Sequence, residues 1–339
     1  MPKLPRYAHI GAPKAASKAL QNHLFNAHPQ LGHVGLGVGG PVGWATPELC
    51  RRLETDLRCM KPLLYDPKPV SAAWSAALDS VRTPQTKRVG LSYENLTITL
   101  PLDVDVTEKA RRMKALLGET TKVVYVVREQ RDLLRSGYAE LLLNGLAVDF
   151  QTFIDNQLRA HVRSWISDLR YGAQLDLWQR TFGSENLLVV FQEELVSQPA
   201  QELNRIQRFL DVQPTVHTLP REHEGLSPLQ LAVLLHMNQR MRHDFSDAHG
   251  SLIQGDRLAA HLDATWPELP PLDRLSNAVL GRAAARAARA IDHLPGVPPL
   301  ERTYRPDQQQ MLGRLYAEDN AMLSARLGRA LPDGYITND

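Results

Sequence analysis

The sequence is poor in the residues that several common protein classes require. It contains only two cysteines, Cys50 and Cys59, which are too few for a disulfide framework and do not have the spacing of a zinc motif. None of its twelve histidines belongs to an HExxH motif, so we expect no metal site. The net charge of +2 lacks the basic excess of a nucleic-acid-binding domain, so no nucleic-acid partner is expected.

Long apolar runs are also absent. No stretch approaches the roughly 20 apolar residues of a transmembrane helix, and the first residues do not form the apolar segment of a signal peptide. A chain of 339 residues, 43% of them hydrophobic, is long enough to bury a substantial core. We therefore expect a cytoplasmic protein with reduced thiols and no transmembrane segment.

A strand–turn–helix pattern stands near the N-terminus. An apolar strand over 7–10 leads into Gly11-Ala-Pro-Lys-Ala-Ala-Ser-Lys18, and a helix is predicted over 17–27. Such a turn directs backbone N–H groups, a helix N-terminus and two ammonium groups toward one point, which suits a phosphate or a sulfate. The pattern lacks the second glycine of a Walker A loop and two of the three Rossmann glycines. A plain turn with solvated lysines is the alternative.

A second pattern lies in the middle of the chain. Lys122–Val127 is a continuous β-branched run that predicts a buried parallel strand. The strand ends at Arg128, and the amphipathic helix that follows carries Ser136. One interpretation is a second phosphate site, with an arginine fork and a serine hydroxyl. The other is a crossover helix with surface arginines.

Together these two patterns resemble the sulfotransferases that use 3′-phosphoadenosine 5′-phosphosulfate (PAPS). In that family the first loop reads approximately Pro-Lys-x-Gly-Thr-Thr-x-Leu, and here it reads Pro13-Lys-Ala-Ala-Ser-Lys-Ala-Leu20. The second family motif, an arginine at a strand end followed eight residues later by a serine, corresponds to Arg128 and Ser136. Residues 186–210 are similar to a strand, turn and helix that follow these two motifs in the family. Residues 305–323 are similar to the closing helix of many bacterial members.

The resemblance implies an α/β fold: a P-loop NTPase-like parallel sheet flanked by helices, with a helical cap region. It implies PAPS as co-substrate, 3′-phosphoadenosine 5′-phosphate (PAP) as product, and no metal. The loop would hold the 5′-phosphosulfate, and the second motif would hold the 3′-phosphate. The implied donor-binding residues are Lys14, Ala15, Ala16, Ser17, Lys18, Arg128 and Ser136. Ala16 stands where the family has glycine and Lys18 where it has threonine, so a donor contact by Lys18 stays open.

Glu94 is the candidate catalytic base. It follows a strand predicted over 88–92, and ligands bind at the carboxyl edge of open α/β sheets. In carbohydrate-type sulfotransferases a glutamate in a comparable place is the base, whereas cytosolic small-molecule members use a histidine. His23 and His33 are therefore rival bases, and His9 is predicted to be buried within the first strand. A capping or ion-pairing role is the structural alternative for Glu94.

Alternating strands and helices predict one domain over 1–339. Its core covers roughly 5–30 and 86–215, its helical cap roughly 220–300, and its C-terminal helix 305–328. The Gly- and Pro-rich stretch 32–48 is predicted to be a loop. One face of a predicted Ala-rich helix carries Arg282, Arg286 and Arg289. This face would attract an acidic acceptor or an anionic membrane surface. The alternative is that the arginines are simply solvated.

The main functional hypothesis is in-line transfer of a sulfuryl group from PAPS to a hydroxyl acceptor. Lys14 and Glu94 are its catalytic residues, and the acceptor is a carbohydrate, a glycolipid or another small alcohol. One alternative is an ATP-dependent phosphotransferase on a related P-loop-like fold, and another is a non-catalytic nucleotide-binding protein. The sequence identifies neither the acceptor nor the oligomeric state.

Overall fold

The computed structural model describes residues 4–35, 46–100, 103–143, 145–220, 225–240 and 298–336. They belong to two units, which we describe separately. The sheet unit consists of the described parts of Met1–Gln130, Asp168–Glu222 and Tyr316–Asp339. The helical unit consists of the described parts of Arg131–Ser167 and His223–Leu315. The single domain over 1–339 stays a prediction.

Short apolar and β-branched runs form a parallel sheet in the sheet unit. The strands are β1 (Arg6–Gly11), β2 (Leu31–His33), β3 (Arg88–Ser92), β4 (Lys122–Val127) and β5 (Leu187–Phe191). Their order in the sheet is β2-β3-β1-β4-β5, and all neighbours pair in parallel. β3 is buried along its whole length, as are β1 and β4 after their first residues, which is typical of a sheet covered on both faces. The predicted α/β class is confirmed.

Helices connect and cover these strands, and further helices build the helical unit. In chain order, the helices of the described residues are α1 (Ser17–Leu20), α2 (Pro47–Arg52), α3 (Pro67–Val81), α4 (Val106–Leu117), α5 (Gln130–Leu143), α6 (Phe150–Arg159), α7 (Trp165–Asp168), α8 (Tyr171–Phe182), α9 (Gln192–Ser197), α10 (Pro199–Phe209), α11 (Pro228–Arg240) and α12 (Pro306–Leu327). Wider, π-type turns over Gln21–Phe25 and Leu53–Leu57 continue α1 and α2. Short 3₁₀ turns cover Glu94–Leu96, His161–Arg163 and Ser184–Asn186.

Several helices begin where the sequence supplies a cap. The side chains of Thr46, Asp66, Asp105 and Asp149 each accept a hydrogen bond from a backbone N–H of the first turn that follows. A cap of this kind contributes about 1 kcal/mol to helix stability. The capping residues therefore fix the first turns of α2, α3, α4 and α6 locally, before any packing on the sheet.

The core of the sheet unit forms where α1 and α10 pack on β1, β4 and β5. Apolar residues of these elements are buried together, among them Tyr7, Leu20, Val126, Val190 and Ile206. Burial of such side chains contributes about 1.5–3 kcal/mol each. This packing holds α1, and with it the turn between β1 and α1, against the carboxyl end of the sheet.

The loop predicted over 32–48 was wrong at its start. Gly32 and His33 belong to β2 and pair with β3. A Cβ on Gly32 would lie 3.0 Å from Val89 Cγ1 and 3.1 Å from the carbonyl oxygen of Val81. Glycine here permits close packing of an edge strand, and its presence led the sequence interpretation toward a loop. Residues 36–45 lie outside the described residues.

Aromatic packing holds the helical unit together. The ring of Phe150 packs edge-on against Tyr138, with centroids 5.3 Å apart, and against Tyr304, with centroids 5.1 Å apart. Within the predicted cap of 220–300, α11 is helical as expected. Residues 241–297, including the arginines at 282, 286 and 289, lie outside the described residues. Among the helices that the structure describes, none has the length and apolar character needed to cross a membrane.

Candidate functional site

The turn between β1 and α1 has an unusual backbone. Lys14 has φ 72° and Ala16 has φ 62°, so two non-glycine residues adopt the left-handed conformation. Such residues are uncommon because Cβ is crowded there. Left-handed residues within a turn allow consecutive N–H groups to face one concave point, which is how many phosphate sites are built. We call residues 12–18 the donor loop.

Ser17 supplies an unsatisfied hydroxyl to this loop. It is the first residue of α1 and is buried, and its Oγ has no hydrogen-bond partner among the described residues. A buried polar atom without a partner costs about 1–3 kcal/mol. A phosphate or sulfate oxygen in the donor loop would satisfy this hydroxyl, so the residues present fit an anionic group.

Two lysines place positive charge on the same loop. Lys14 is exposed, and Lys18 is half-buried in the first turn of α1. The loop predicted to bind an anion is therefore one continuous structural feature, formed by Lys14, Ala15, Ala16, Ser17 and Lys18.

Arg128 joins the donor loop from the neighbouring strand. β1 and β4 pair in parallel, with Gly11 opposite Val126, so both strands end at the same edge of the sheet. From this edge Arg128 Nη1 donates a hydrogen bond to the carbonyl oxygen of Lys14, at 2.9 Å. The structure thus brings Arg128 and the donor loop together. Ser136 lies half-buried on α5 in the helical unit, and its donor contact stays a prediction.

Glu94 lies at the carboxyl end of β3, on the other side of β1. Ser92, the last residue of β3, pairs with His9 of β1, and Glu94 begins a short 3₁₀ turn two residues later. Its side chain is half-buried. The parallel sheet therefore brings the predicted base to the same edge as Lys14 and Arg128.

A buried lysine fixes the loop that carries Glu94, residues 94–100. Lys109 of α4 is fully buried, and its Nζ donates to the carbonyl oxygens of Asn95 (2.8 Å) and Ile98 (2.6 Å). The same ammonium pairs with the Asp103 carboxylate at 2.6 Å. Arg58 Nε, also buried, lies 2.7 Å from the other oxygen of Asp103. The backbone that follows Glu94 is therefore held by a paired, desolvated charge cluster.

Asp168 of α7 and Gln174 of α8 also bind the loop over residues 94–100. Asp168 Oδ2 accepts the backbone N–H of Thr99 at 2.6 Å, and Gln174 Nε2 donates to the carbonyl oxygen of Thr97 at 2.5 Å. Burial raises the pKa of Asp168 to about 6. The sequence interpretation missed Lys109, Asp168 and Gln174, because nothing in their local patterns indicates partners on a distant loop.

The histidines near the edge are packed inside the sheet unit. His9 Nδ1 lies 2.6 Å from Ser92 Oγ, and His33 Nδ1 lies 2.7 Å from the hydroxyl of Tyr7. Desolvation lowers the pKa of each histidine to about 3. The predicted burial of His9 is confirmed. His33 is enclosed too, which makes it a weaker candidate than Glu94 for a base that must reach an acceptor.

Across the part of the chain that the structure describes, no three or more His, Cys, Asp or Glu side chains are arranged to hold a metal ion.

Comparison with known proteins adds a family to this geometry. Residues 103–229 match the family model described as "Sulfotransferase domain". Over these residues the chain is similar to sulfotransferase domains. The match bears out the resemblance inferred from the sequence, and it includes β4, Arg128, Ser136 and β5. No curated protein sequence is significantly similar to the chain.

Solved structures of sulfotransferases align with this chain. A sulfotransferase from Alicyclobacillus acidocaldarius aligns with a TM-score of 0.53 at 16% identity, covering 97% of this chain and 98% of that one. A sulfotransferase domain from the curacin biosynthetic pathway aligns at 0.37 and 12% identity, covering 98% and 100%. Mouse sulfotransferase SULT7A1, solved with PAP, aligns at 0.36 and 15% identity, covering 86% and 90%. The first of these supports the shared fold.

The left-handed conformation of Ala16 gives a first prediction for this protein. Ala16→Gly should stabilise the protein by about 0.5–1 kcal/mol, because glycine relieves the crowding of Cβ by more than it loses in chain entropy. The same change at Ala76, an exposed position within α3, should destabilise it by about 0.5–1 kcal/mol. Urea unfolding of both variants measures the difference, and a loss of stability in both would contradict the backbone assignment.

The buried cluster beneath Glu94 gives a second prediction. Lys109→Met should lower the free energy of unfolding by about 3–5 kcal/mol, because it leaves the Asp103 carboxylate less compensated and two loop carbonyls without their donor. The matched control is Lys114→Met on the same helix. Lys114 pairs with the exposed Glu119, so the loss in free energy of unfolding should be below about 1 kcal/mol. Equal losses in urea unfolding would show that the cluster does not hold the loop.

Proposed function

We propose that this protein transfers the sulfuryl group of PAPS to a hydroxyl acceptor. The observation that carries the proposal is the donor loop. It joins a left-handed turn, the unsatisfied Ser17 hydroxyl and Arg128 at the carboxyl edge of a parallel sheet. The sulfotransferase-domain match supports the reaction class. The resemblance of the motifs supports PAPS as the donor.

In the proposed donor complex the loop binds the 5′ end of the nucleotide. N–H groups of the loop and the Ser17 hydroxyl donate to oxygens of the 5′-phosphosulfate, and Lys14 adds a positive charge. Lys18 stands where the family has a threonine. In the proposed complex its ammonium group takes the place of the threonine hydroxyl as a donor-binding group. Arg128 and Ser136 hold the 3′-phosphate, which distinguishes PAPS from ATP.

The proposed reaction is a single displacement at sulfur. The acceptor hydroxyl oxygen forms the new S–O bond while the bond between sulfur and the bridging phosphate oxygen breaks. Glu94 accepts the hydroxyl proton, so the products are a sulfate ester and PAP. Lys14 stabilises the negative charge that grows on the bridging oxygen, an interaction stronger in the transition state than in the ground state.

The acceptor class follows from the nature of the base. Glu94 is half-buried at the edge of the sheet beside the donor loop, whereas His9 and His33 near that edge are buried. A glutamate base is also the one used by the carbohydrate-type members that the sequence resembles. We therefore propose a carbohydrate, a glycolipid or another aliphatic alcohol as acceptor. We also propose that the protein acts in the cytoplasm, as the sequence suggested.

Ligand-dependent melting tests the donor. PAP should raise the melting temperature by an amount that grows with the logarithm of its concentration above Kd, whereas ATP with Mg²⁺ should raise it much less. A saturating concentration near 100 times Kd adds about 2.7 kcal/mol to stability. A shift with ATP–Mg²⁺ alone would overturn the proposal and favour a phosphotransferase. A PAP shift without transfer of label from ³⁵S-PAPS to any member of a hydroxyl-acceptor panel would indicate a non-catalytic binder.

Lys14→Ala tests the chemistry separately from binding. Turnover should fall about 100- to 1000-fold, the effect of removing one charge-stabilising donor from a transition state. The affinity for PAP, measured by calorimetry, should fall far less. Lys68→Ala removes an exposed lysine of α3 outside the loop and should change neither quantity. Unchanged turnover in Lys14→Ala would contradict its role at the leaving group.

A further inference from the structure

One hydrogen bond connects the two ends of the proposed donor site. Arg128 Nη1 donates to the carbonyl oxygen of Lys14, although the resemblance assigns Arg128 to the 3′-phosphate and Lys14 to the 5′ end. A guanidinium carries five N–H donors in a fixed fork, so other donors remain when one of them bonds to the loop. The same side chain can therefore contact the donor loop and a phosphate.

The bond acts on one of the two left-handed residues of the donor loop. Lys14 is in the left-handed conformation, which is disfavoured for any residue with a Cβ. Strained residues of this kind persist only where the surrounding structure holds them. The carbonyl of Lys14 and the N–H of Ala15 belong to one planar peptide unit and point in opposite directions. By holding that carbonyl, Arg128 sets the direction of the Ala15 N–H in the donor loop.

Arg128 itself is anchored to the sheet edge. Its own carbonyl oxygen accepts the hydroxyl of Tyr171 at 2.6 Å, and Tyr171 is buried in the sheet unit. The next backbone N–H, that of Glu129, donates to Glu193 Oε1 at 2.8 Å. The guanidinium therefore extends from a backbone that α8 and α9 hold in place, and the loop is positioned relative to that fixed point.

We infer that Arg128 is a positioning residue for the donor loop, and that it shapes the site for the 5′ end of the nucleotide even when no 3′-phosphate is present. This rests on the proposed function, in which the loop binds a nucleotide 5′-phosphate. It goes beyond a 3′-phosphate contact, because it makes affinity at one end of the donor depend on a side chain assigned to the other end.

Two nucleotides separate these roles. Adenosine 5′-phosphate (AMP) has the 5′-phosphate alone, whereas PAP has both phosphates. In calorimetric titrations, Arg128→Gln should weaken AMP binding about three- to tenfold, the range set by the loss of one intramolecular hydrogen bond. PAP binding should weaken more. Arg326→Gln, which removes an arginine of α12 paired with Asp176, should change neither affinity.

The outcomes decide between the two roles. If Arg128→Gln binds AMP as tightly as the wild type and only PAP weakens, Arg128 contacts the 3′-phosphate alone and the inference is wrong. Circular dichroism and melting temperature verify that the variant is folded. Tyr171→Phe, which removes one of the two hydrogen bonds that anchor the backbone at Arg128, should weaken AMP binding in the same direction by a smaller factor.

Hydrogen exchange in the ligand-free protein provides a measurement that does not depend on nucleotide binding. Amides of a peptide covering residues 12–20 should exchange faster in Arg128→Gln than in the wild type and in Arg326→Gln. Equal exchange in all three would overturn the positioning role. If the wild type bound neither AMP nor PAP, the proposed function would fail, while exchange would still decide whether Arg128 holds the loop.

Discussion

The parallel pairing of β1 with β3 on one side and β4 on the other is the constraint on which the candidate site depends. Because all three strands run in the same direction, the residues that follow them emerge at one edge. The donor loop follows β1, Glu94 follows β3 and Arg128 follows β4. The strand pairing alone therefore places three proposed functional residues at one edge. They are Lys14 at the leaving group, Glu94 as the base and Arg128 at the 3′-phosphate.

Side chains remote in sequence hold both loops at this edge, the donor loop and the loop that carries Glu94. The donor loop keeps two left-handed residues, and Arg128 bonds to one of them. The Glu94 loop has no strained residue of this kind, and its backbone instead bonds to Lys109, Asp168 and Gln174. A buried ion pair such as that of Lys109 and Asp103 contributes little net stability. Its value here is that it fixes the direction of the loop that carries Glu94, the proposed base.

Local patterns in the sequence predicted much of this arrangement, and long-range partners explain what they missed. The β-branched runs at 122–127 and 187–191 became strands with the expected bounds. β2 was missed because Gly32 reads as a loop residue, whereas in the fold it allows close contact with Val89. The donor loop was recognised from its motif, but the burial of Ser17 and the bond from Arg128 to Lys14 arise only when β1, β4 and α1 pack together.

The central claim is that residues 12–18 bind the 5′ end of a nucleotide that carries a 3′-phosphate. A crystal structure of the protein with PAP bound tests it most directly. The account predicts a 5′-phosphate oxygen within hydrogen-bond distance of Ser17 Oγ, and the 3′-phosphate against the Arg128 guanidinium. PAP bound away from the donor loop, or in the loop with Ser17 Oγ still lacking a partner, would contradict it.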